Sequence, residues 1–64
     1  MKELIEKVKE TLKDLRIVEY DIKTCRDFND YEDMGFYQQR RSDLQKELIE
    51  QVEELIKELE DEDK

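Results

Sequence analysis

The chain has 64 residues and a formal net charge of −8, with 50% charged residues, one glycine, one cysteine, and neither proline nor histidine. A chain of this length forms at most one domain with a small core, so regular helix packing or self-association must compensate. A single thiol excludes an internal disulfide, and without histidine no plausible set of zinc ligands remains. The acidic balance opposes general binding to nucleic acid or to anionic membranes, which leaves proteins as the expected partners.

The composition also indicates a class and a compartment. Glu, Lys, Leu and Ile dominate, as they do in long helices and coiled coils. No apolar run reaches the length of a membrane span, and no signal-peptide pattern occurs. We therefore expect a soluble protein in the reducing cytoplasm, or in a host's cytoplasm if a phage or plasmid carries the gene.

Two segments show the period of an amphipathic helix, with apolar residues at spacings of three and four. In the first segment they are Leu4, Ile5, Val8, Leu12, Leu15, Val18, Ile22 and Cys25. In the second they are Leu44, Leu48, Ile49, Val52, Leu55, Ile56 and Leu59. This predicts an all-α fold with helices over about 2–27 and 31–60. The acidic tail, 61–64, should fray because it lies at the negative end of the helix dipole.

The run "DFNDYED" between the helices contains the turn-forming residues, so we predict a turn at 28–30. Asn29 and Glu32 have the spacing of a capping box, which would start the second helix there. A cap at Asp33 is the alternative, and it would place Gly35 in the first turn, where glycine costs less than inside a helix. The sequence leaves both registers open.

A short turn between two long helices predicts an antiparallel hairpin that forms a single domain. The charges favour this antiparallel pairing, because it places the near-neutral first segment beside the acidic last one. Residues 1–26 carry seven bases and six acids, while residues 47–64 carry nine acids and two bases. Ile5, Ile49 and Ile56 lie beside the two-helix seam and would stay in water in an isolated hairpin. We therefore expect a dimeric four-helix bundle, or a partner that covers these residues.

Catalysis is not expected, because the chain has one serine, no histidine and no glycine-rich phosphate loop. Asp27, Asn29 and Asp33 have the spacing of the first calcium ligands of an EF-hand. However, Glu32 and Gln38 occupy the places where that loop needs glycine and a bidentate glutamate. We predict no catalytic residue, no metal site and no cofactor.

Two polar features of the stripes allow alternative interpretations. Cys25 reads as a small buried hydrophobe rather than a thiol activated by Arg26. Arg41 falls within the apolar arc, which favours a polar layer in which it reaches an acid across the seam. Alternatively, Arg26, Arg40 and Arg41 contact phosphate or an acidic partner.

Residues 25–41 hold four of the five aromatic rings, which is the least expected feature of the sequence. We expect Phe28 and Tyr37 to close the tip of the hairpin, whereas Tyr20 and Phe36 point away from the stripes. Tyr, Phe, Met and Arg are the types enriched at protein interfaces. The predicted partner-binding residues are Tyr20, Phe28, Tyr31, Met34, Phe36, Tyr37, Arg40 and Arg41.

These features favour a small acidic interaction module, of the regulator or inhibitor type, that binds a protein through its tip or an acidic helix face. One alternative is RNA binding through Arg16, Lys23, Arg26, Arg40 and Arg41. In length and layout the chain resembles the Rop family of plasmid RNA-binding hairpin dimers, although it shares no residue motif with them. Another alternative is an engineered scaffold, because "KELIEKVKETLKDL" has the regularity of designed helices around a grafted centre.

Overall fold

The computed structural model describes residues 2–62, which form two helices. The first helix, α1, is Lys2–Asp27, and the second, α2, is Tyr31–Glu62; no strand occurs within the described residues. The predicted all-helical fold is confirmed. Of the tail that we predict to fray, residues 61 and 62 belong to α2. The rest of the predicted tail, residues 63 and 64, lies outside the described residues.

The helices pack side by side in opposite directions and form a rod measuring 53 × 15 × 12 Å. The Thr11 hydroxyl lies 2.8 Å from Gln51 Oε1 on the other helix, and Val18 packs with Leu44 nearer the turn. In both pairs the residue numbers add up to 62, so residues at about the same height on the two helices have numbers that sum to about 62. The chain is therefore a helical hairpin with a regular register.

The central core cluster lies in the half of the hairpin next to the turn, which we call the tip half, and Leu4 near the other end is buried as well. Leu44 is only 2% exposed and Ile22 only 3% exposed, and together with Val18 they form the central cluster. Leu15, Met34 and Tyr37 pack around that cluster. Burying such side chains supplies the main stabilisation of a small helical protein, roughly 1.5–3 kcal/mol for each fully buried large side chain.

The seam of α1 follows alternating spacings of four and three from Leu4 to Cys25, and its one polar member is Thr11, which is buried. The Thr11 hydroxyl has two acceptors for its single proton, the Lys7 carbonyl at 3.0 Å and Gln51 Oε1 at 2.8 Å. The Gln51 amide nitrogen donates to Glu47. These contacts form a polar layer across the seam, at a position that the apolar pattern alone does not reveal.

The other half of the hairpin leaves a continuous set of apolar side chains in solvent. Ile49 is 58% exposed and Ile56 is 49% exposed, although both belong to the predicted apolar arc. The expectation that two helices alone cannot cover these flanks is confirmed. We call this surface the far-end apolar face, and it consists of Ile5, Leu12, Ile49, Val52, Ile56 and Leu59.

Candidate partner-binding surfaces

The turn is built from backbone hydrogen bonds that end α1 and from a side chain that starts α2. Asn29 has a φ of 57°, in the left-handed region that Asn tolerates better than most residues. The Asp30 amide donates to the Cys25 carbonyl at 2.8 Å, and the Asn29 amide donates to the Arg26 carbonyl at 3.2 Å. These two bonds are those of a Schellman motif, which satisfies carbonyls at the end of a helix.

The residue that caps α2 is Asp30, and both predicted registers are therefore wrong. The Asp30 carboxylate accepts a hydrogen bond from the Asp33 amide at 3.3 Å, and its carbonyl accepts from the Met34 amide at 3.1 Å. Asn29 is unavailable as a cap because its left-handed conformation already ends α1. Asp30 and Asp33 have the spacing of a cap and its third helical residue, a signal that the sequence does contain.

The cap places several acidic groups close together at the tip. A hydrogen bond with Asp30, and then the negative charge of Asp30, raise the pKa of the Asp33 carboxyl above its ordinary value of 3.8. The charge of Asp21 and partial desolvation raise the pKa of Tyr37. Both shifts have the direction that a negative local potential produces. The acidic groups around the cap therefore make the local potential negative.

Three rings at the tip remain in solvent after the core has formed. Phe28 is 79% exposed, Phe36 is 69% exposed and Tyr31 is 64% exposed, and we call these three residues the tip patch. The Tyr31 hydroxyl donates to Asn29 Oδ1 at 3.2 Å, which orders its ring against the turn. The exposure of Phe28 corrects our expectation that this ring closes the tip. Phe28 is the first residue of the turn, outside the seam.

The remaining predicted site residues lie in three other environments. Met34 and Tyr37 are half-buried against the core, so Tyr37 does close the tip as expected. Its ring also meets Phe36 edge to face, with centroids 5.5 Å apart. Tyr20 is exposed as predicted, but it lies on the outer face of α1, about 165° from the seam by helical geometry. The structure therefore does not bring Tyr20 together with the tip patch.

The two arginines of α2 lie in different environments. Arg41 is half-buried at the seam, whereas Arg40 is exposed and borders a polar groove on one side of the hairpin. The predicted ion pair of Arg41 across the seam is not formed. The single salt bridge among the described side chains, residues 2–61, links Lys9 Nζ with Glu6 at 4.0 Å. The polar layer of this hairpin is instead made by Thr11 and Gln51.

The thiol of Cys25 is buried, as the pattern of the first stripe indicates. Burial, followed by the charges of Asp30, Asp33 and Asp21, raises the pKa of Cys25 above its ordinary value of 9.0. The thiolate is the reactive form, so this environment suppresses nucleophilic chemistry at the thiol. Arg26 does not reverse the effect, and Cys25 acts as part of the core.

Two further observations concern other classes of site. Within residues 2–61, whose side chains the structure describes, no three Asp, Glu or Cys side chains converge closely enough to hold a metal ion. Neither helix contains, over the same residues, a stretch both long and apolar enough to cross a membrane.

Comparison of the chain with protein-family models, with curated protein sequences and with solved structures gave no match.

Proposed function

We propose that this hairpin is a protein-interaction module that inserts its tip patch into an apolar cleft of a partner protein. The observation that carries the proposal is the exposure of Phe28, Tyr31 and Phe36 on a hairpin whose core forms without them. Aromatic rings remove much area from water at a small cost in side-chain entropy, which is why they dominate interface energetics. Monomeric proteins seldom leave such clusters unused.

The shape of the tip supports a cleft rather than a flat partner surface. Tyr31 and Phe36 lie about 140° apart around α2, and Phe28 lies in the turn. The rings therefore surround the end of a rod that is only 15 × 12 Å in cross-section. A cleft can contact all three rings at once, whereas a flat surface contacts one side only.

The charges at the tip indicate the chemistry of the cleft. The charge of Asp21 on α1 is the main cause that raises the pKa of Tyr37, and Asp33 and Asp30 at the start of α2 add to it. A partner with Lys or Arg around an apolar cleft would complement this potential and would associate faster at low salt. The partner we propose therefore has an apolar cleft with a basic rim.

Binding by the tip is tested with an immobilised chain, extract of the source cell and quantitative mass spectrometry, followed by affinity measurements on the purified partner. Tyr31→Ser and Phe36→Ser should each weaken binding about tenfold or more, as for central interface rings. Ile17→Ser is the matched control, because Ile17 is 51% exposed on α1 away from the tip. Equal binding by all four proteins, with unchanged helicity, would contradict the proposal.

The far-end apolar face supports a second part of the proposed function, in which two hairpins associate as a four-helix bundle. Ile5 and Leu12 on α1 lie beside Ile49 and Ile56 on α2, and all are at least 40% exposed. Helix pairs that leave a wide apolar arc in water commonly complete their core with a second pair. The occupant we propose is a second copy of the chain.

Self-association is tested by sedimentation equilibrium over a range of concentrations. The wild-type chain should show twice the 7.9 kDa mass of one chain. Ile49→Glu should yield a helical monomer, because a charge in the interface has no partner. Ile17→Glu, which places the same charge on the outer face of α1, should stay dimeric. A wild-type chain that is monomeric at all concentrations would refute self-association but leave tip binding untouched.

RNA binding has one observation in its favour, a row of exposed Lys and Arg side chains along α1. Lys2, Lys9, Arg16 and Lys23 recur at a spacing of seven, so they lie along one edge of the helix, about 10 Å apart. Phosphate contacts of this kind lose affinity steeply with added salt. RNA retained on the protein at low salt and released between about 50 and 200 mM salt would favour this second candidate.

A further inference from the structure

The far-end apolar face has a basic edge on α1. Lys9 stands four residues after Ile5 and three before Leu12, so its side chain borders both. Lys2 and Arg16 stand seven residues to either side of Lys9 and continue the same row. All three basic side chains are exposed. We call Lys2, Lys9 and Arg16 the basic edge.

The same face has an acidic edge on α2. Glu53 stands four residues after Ile49 and three before Ile56, so it borders the face as Lys9 does on α1. Glu60 follows seven residues later, and Lys46 precedes Glu53 by seven. We call Glu53 and Glu60 the acidic edge, and both side chains are exposed.

The two edges are separated by the apolar face, so they do not neutralise each other within one chain. Neither Glu53 nor Glu60 forms a salt bridge within residues 2–62, and Lys9 has only its 4.0 Å contact with Glu6. One copy of the hairpin therefore presents an apolar stripe with opposite charges on its two borders. A second copy can meet that stripe in only two symmetric ways.

The two arrangements differ in the direction of the two-fold axis. If the axis runs along the rod, both turns lie at the same end, and α1 of one copy lies over α2 of the other. If the axis crosses the rod, the turns lie at opposite ends, and α1 lies over α1 while α2 lies over α2. All four helices have antiparallel neighbours in both cases, so helix direction does not select between them.

The charged edges do select between them. Since residues whose numbers add up to 62 share a height along the rod, Lys9 shares a height with Glu53, and Lys2 shares a height with Glu60. In the same-end arrangement Lys9 and Lys2 of one copy therefore meet Glu53 and Glu60 of the other. In the opposite-end arrangement the basic edges meet each other and the acidic edges meet each other. Like-charge contacts of this kind disfavour the wrong orientation.

The location of the apolar face selects the same arrangement. The face covers residues 5–12 of α1 and 49–59 of α2, which is the half of the rod away from the turn. In the same-end arrangement these halves cover each other while the rods stay aligned. In the opposite-end arrangement, aligned rods would place the apolar half of one copy on the polar half of the other. The rods would have to slide apart to avoid this.

We infer that two copies associate with both turns at the same end, with Lys2 and Lys9 of each copy against the acidic edge of the other. The inference rests on the self-association proposed above and adds its orientation. Nearer the turns, Arg16 shares a height with Lys46, so the two copies repel each other there. The bundle is therefore closed at its far end and divergent at its tips.

This arrangement determines the kind of partner that the module fits. The dimer presents two tip patches side by side at one end. A partner that is itself a two-fold dimer can accept both tips at once, and the second contact is then intramolecular. A dimer with its turns at opposite ends would instead bridge two separate partners.

The orientation is tested by measuring the distance between the tips in the dimer. Spin labels are attached at Glu32→Cys in a Cys25→Ala background, and dimerisation of the labelled protein is checked by sedimentation. The same-end arrangement should give label distances below about 40 Å. The opposite-end arrangement, pivoting near Val8, should give roughly 70 Å, because about 22 residues of helix at about 1.5 Å each separate Val8 from the height of Glu32 in each copy.

A charge reversal provides a second test that needs no label. Glu53→Lys should weaken dimerisation about three- to tenfold at low salt, because it places a new lysine against Lys9 of the other copy at both symmetric contacts. Lys9→Glu combined with Glu53→Lys should restore the wild-type dissociation constant. Glu50→Lys is the matched control, because it changes the net charge equally but lies in the polar groove on the other side of the hairpin.

The outcomes separate the orientation from the proposed self-association. A distance near 70 Å between the two spin labels would overturn the same-end orientation while leaving self-association in place. Equal dissociation constants for Glu53→Lys and Glu50→Lys would do the same. A monomeric wild-type chain would overturn both. Short distances, selective weakening by Glu53→Lys and rescue by the double variant are the results we expect.

Discussion

The two halves of the hairpin use similar apolar sequence in different ways. In the tip half, Val18, Ile22 and Leu44 are buried between only two helices, with Met34 and Tyr37 covering their ends. In the far half, the seam is interrupted by the polar layer of Thr11 and Gln51, and the apolar residues beside it stay in solvent. The comparison teaches that two helices suffice to bury the seam in the tip half, whereas in the far half they leave an apolar face uncovered.

The largest expected effect comes from shortening the most buried side chain of the tip half. Leu44→Ala should lower the free energy of unfolding by about 2–5 kcal/mol, because it removes buried methyl groups and leaves a cavity. Ile49→Ala, in the far half, should cost far less in the monomer, since Ile49 is mostly exposed. Urea unfolding followed by circular dichroism measures both.

The concentration dependence of these two variants sharpens the comparison of the halves. The loss of unfolding free energy caused by Leu44→Ala should be the same at every protein concentration. The loss caused by Ile49→Ala should appear only at concentrations where the wild type is dimeric. Equal losses for the two variants in dilute protein would mean that the far half is as complete as the tip half.

The polar layer of the far half should be the next most sensitive feature. Gln51→Leu should raise the free energy of unfolding by about 1 kcal/mol, because Thr11 keeps the Lys7 carbonyl as an acceptor while the seam gains an apolar side chain. It should also broaden the range of oligomers, since polar layers restrict register. Gln38→Leu, on an exposed site, is the control and should leave both the stability and the molar mass unchanged.

Gly35 offers a smaller, stabilising change at the tip. It lies inside α2 with an ordinary helical φ, and a Cβ added there would meet nothing within 4 Å. Gly35→Ala should therefore raise the free energy of unfolding by about 0.5–1 kcal/mol. Gly35→Thr, with a lower helix propensity, should give a smaller gain in thermal melts. A destabilising Gly35→Ala would mean that the start of α2 is strained.

The smallest expected effect is a pH dependence that comes from the cap. Because the pKa of Asp33 is raised in the folded chain, the folded state holds that proton more tightly than the unfolded state. Stability should therefore fall as the pH rises from 3.8 through the raised pKa. Asp33→Asn should reduce this slope in urea titrations between about pH 3 and 6. Asp43→Asn is the control, because it makes the same Asp-to-Asn change at a residue outside the cap.

Several features of the tip show why local sequence signals were insufficient there. The capping spacing of Asn29 and Glu32 is genuine, but Asn29 had already been used to end α1 in a left-handed conformation. The cap therefore moved to Asp30, one residue along. Phe28 was expected inside because it is apolar, yet it lies in the turn beyond the last position of the seam. Competition between neighbouring motifs therefore moved the cap, and the position of Phe28 beyond the seam left its ring exposed.

The sequence by itself determined the two helices, the position of the turn and the apolar residues that two helices cannot cover. Each of these follows from spacings of three and four along the chain, which are local properties. The tertiary structure decided which side chains share a height across the seam, and so placed Thr11 against Gln51 and left Arg41 without its predicted ion pair. These pairings depend on the register between distant segments, because a contact forms only where two helix faces meet.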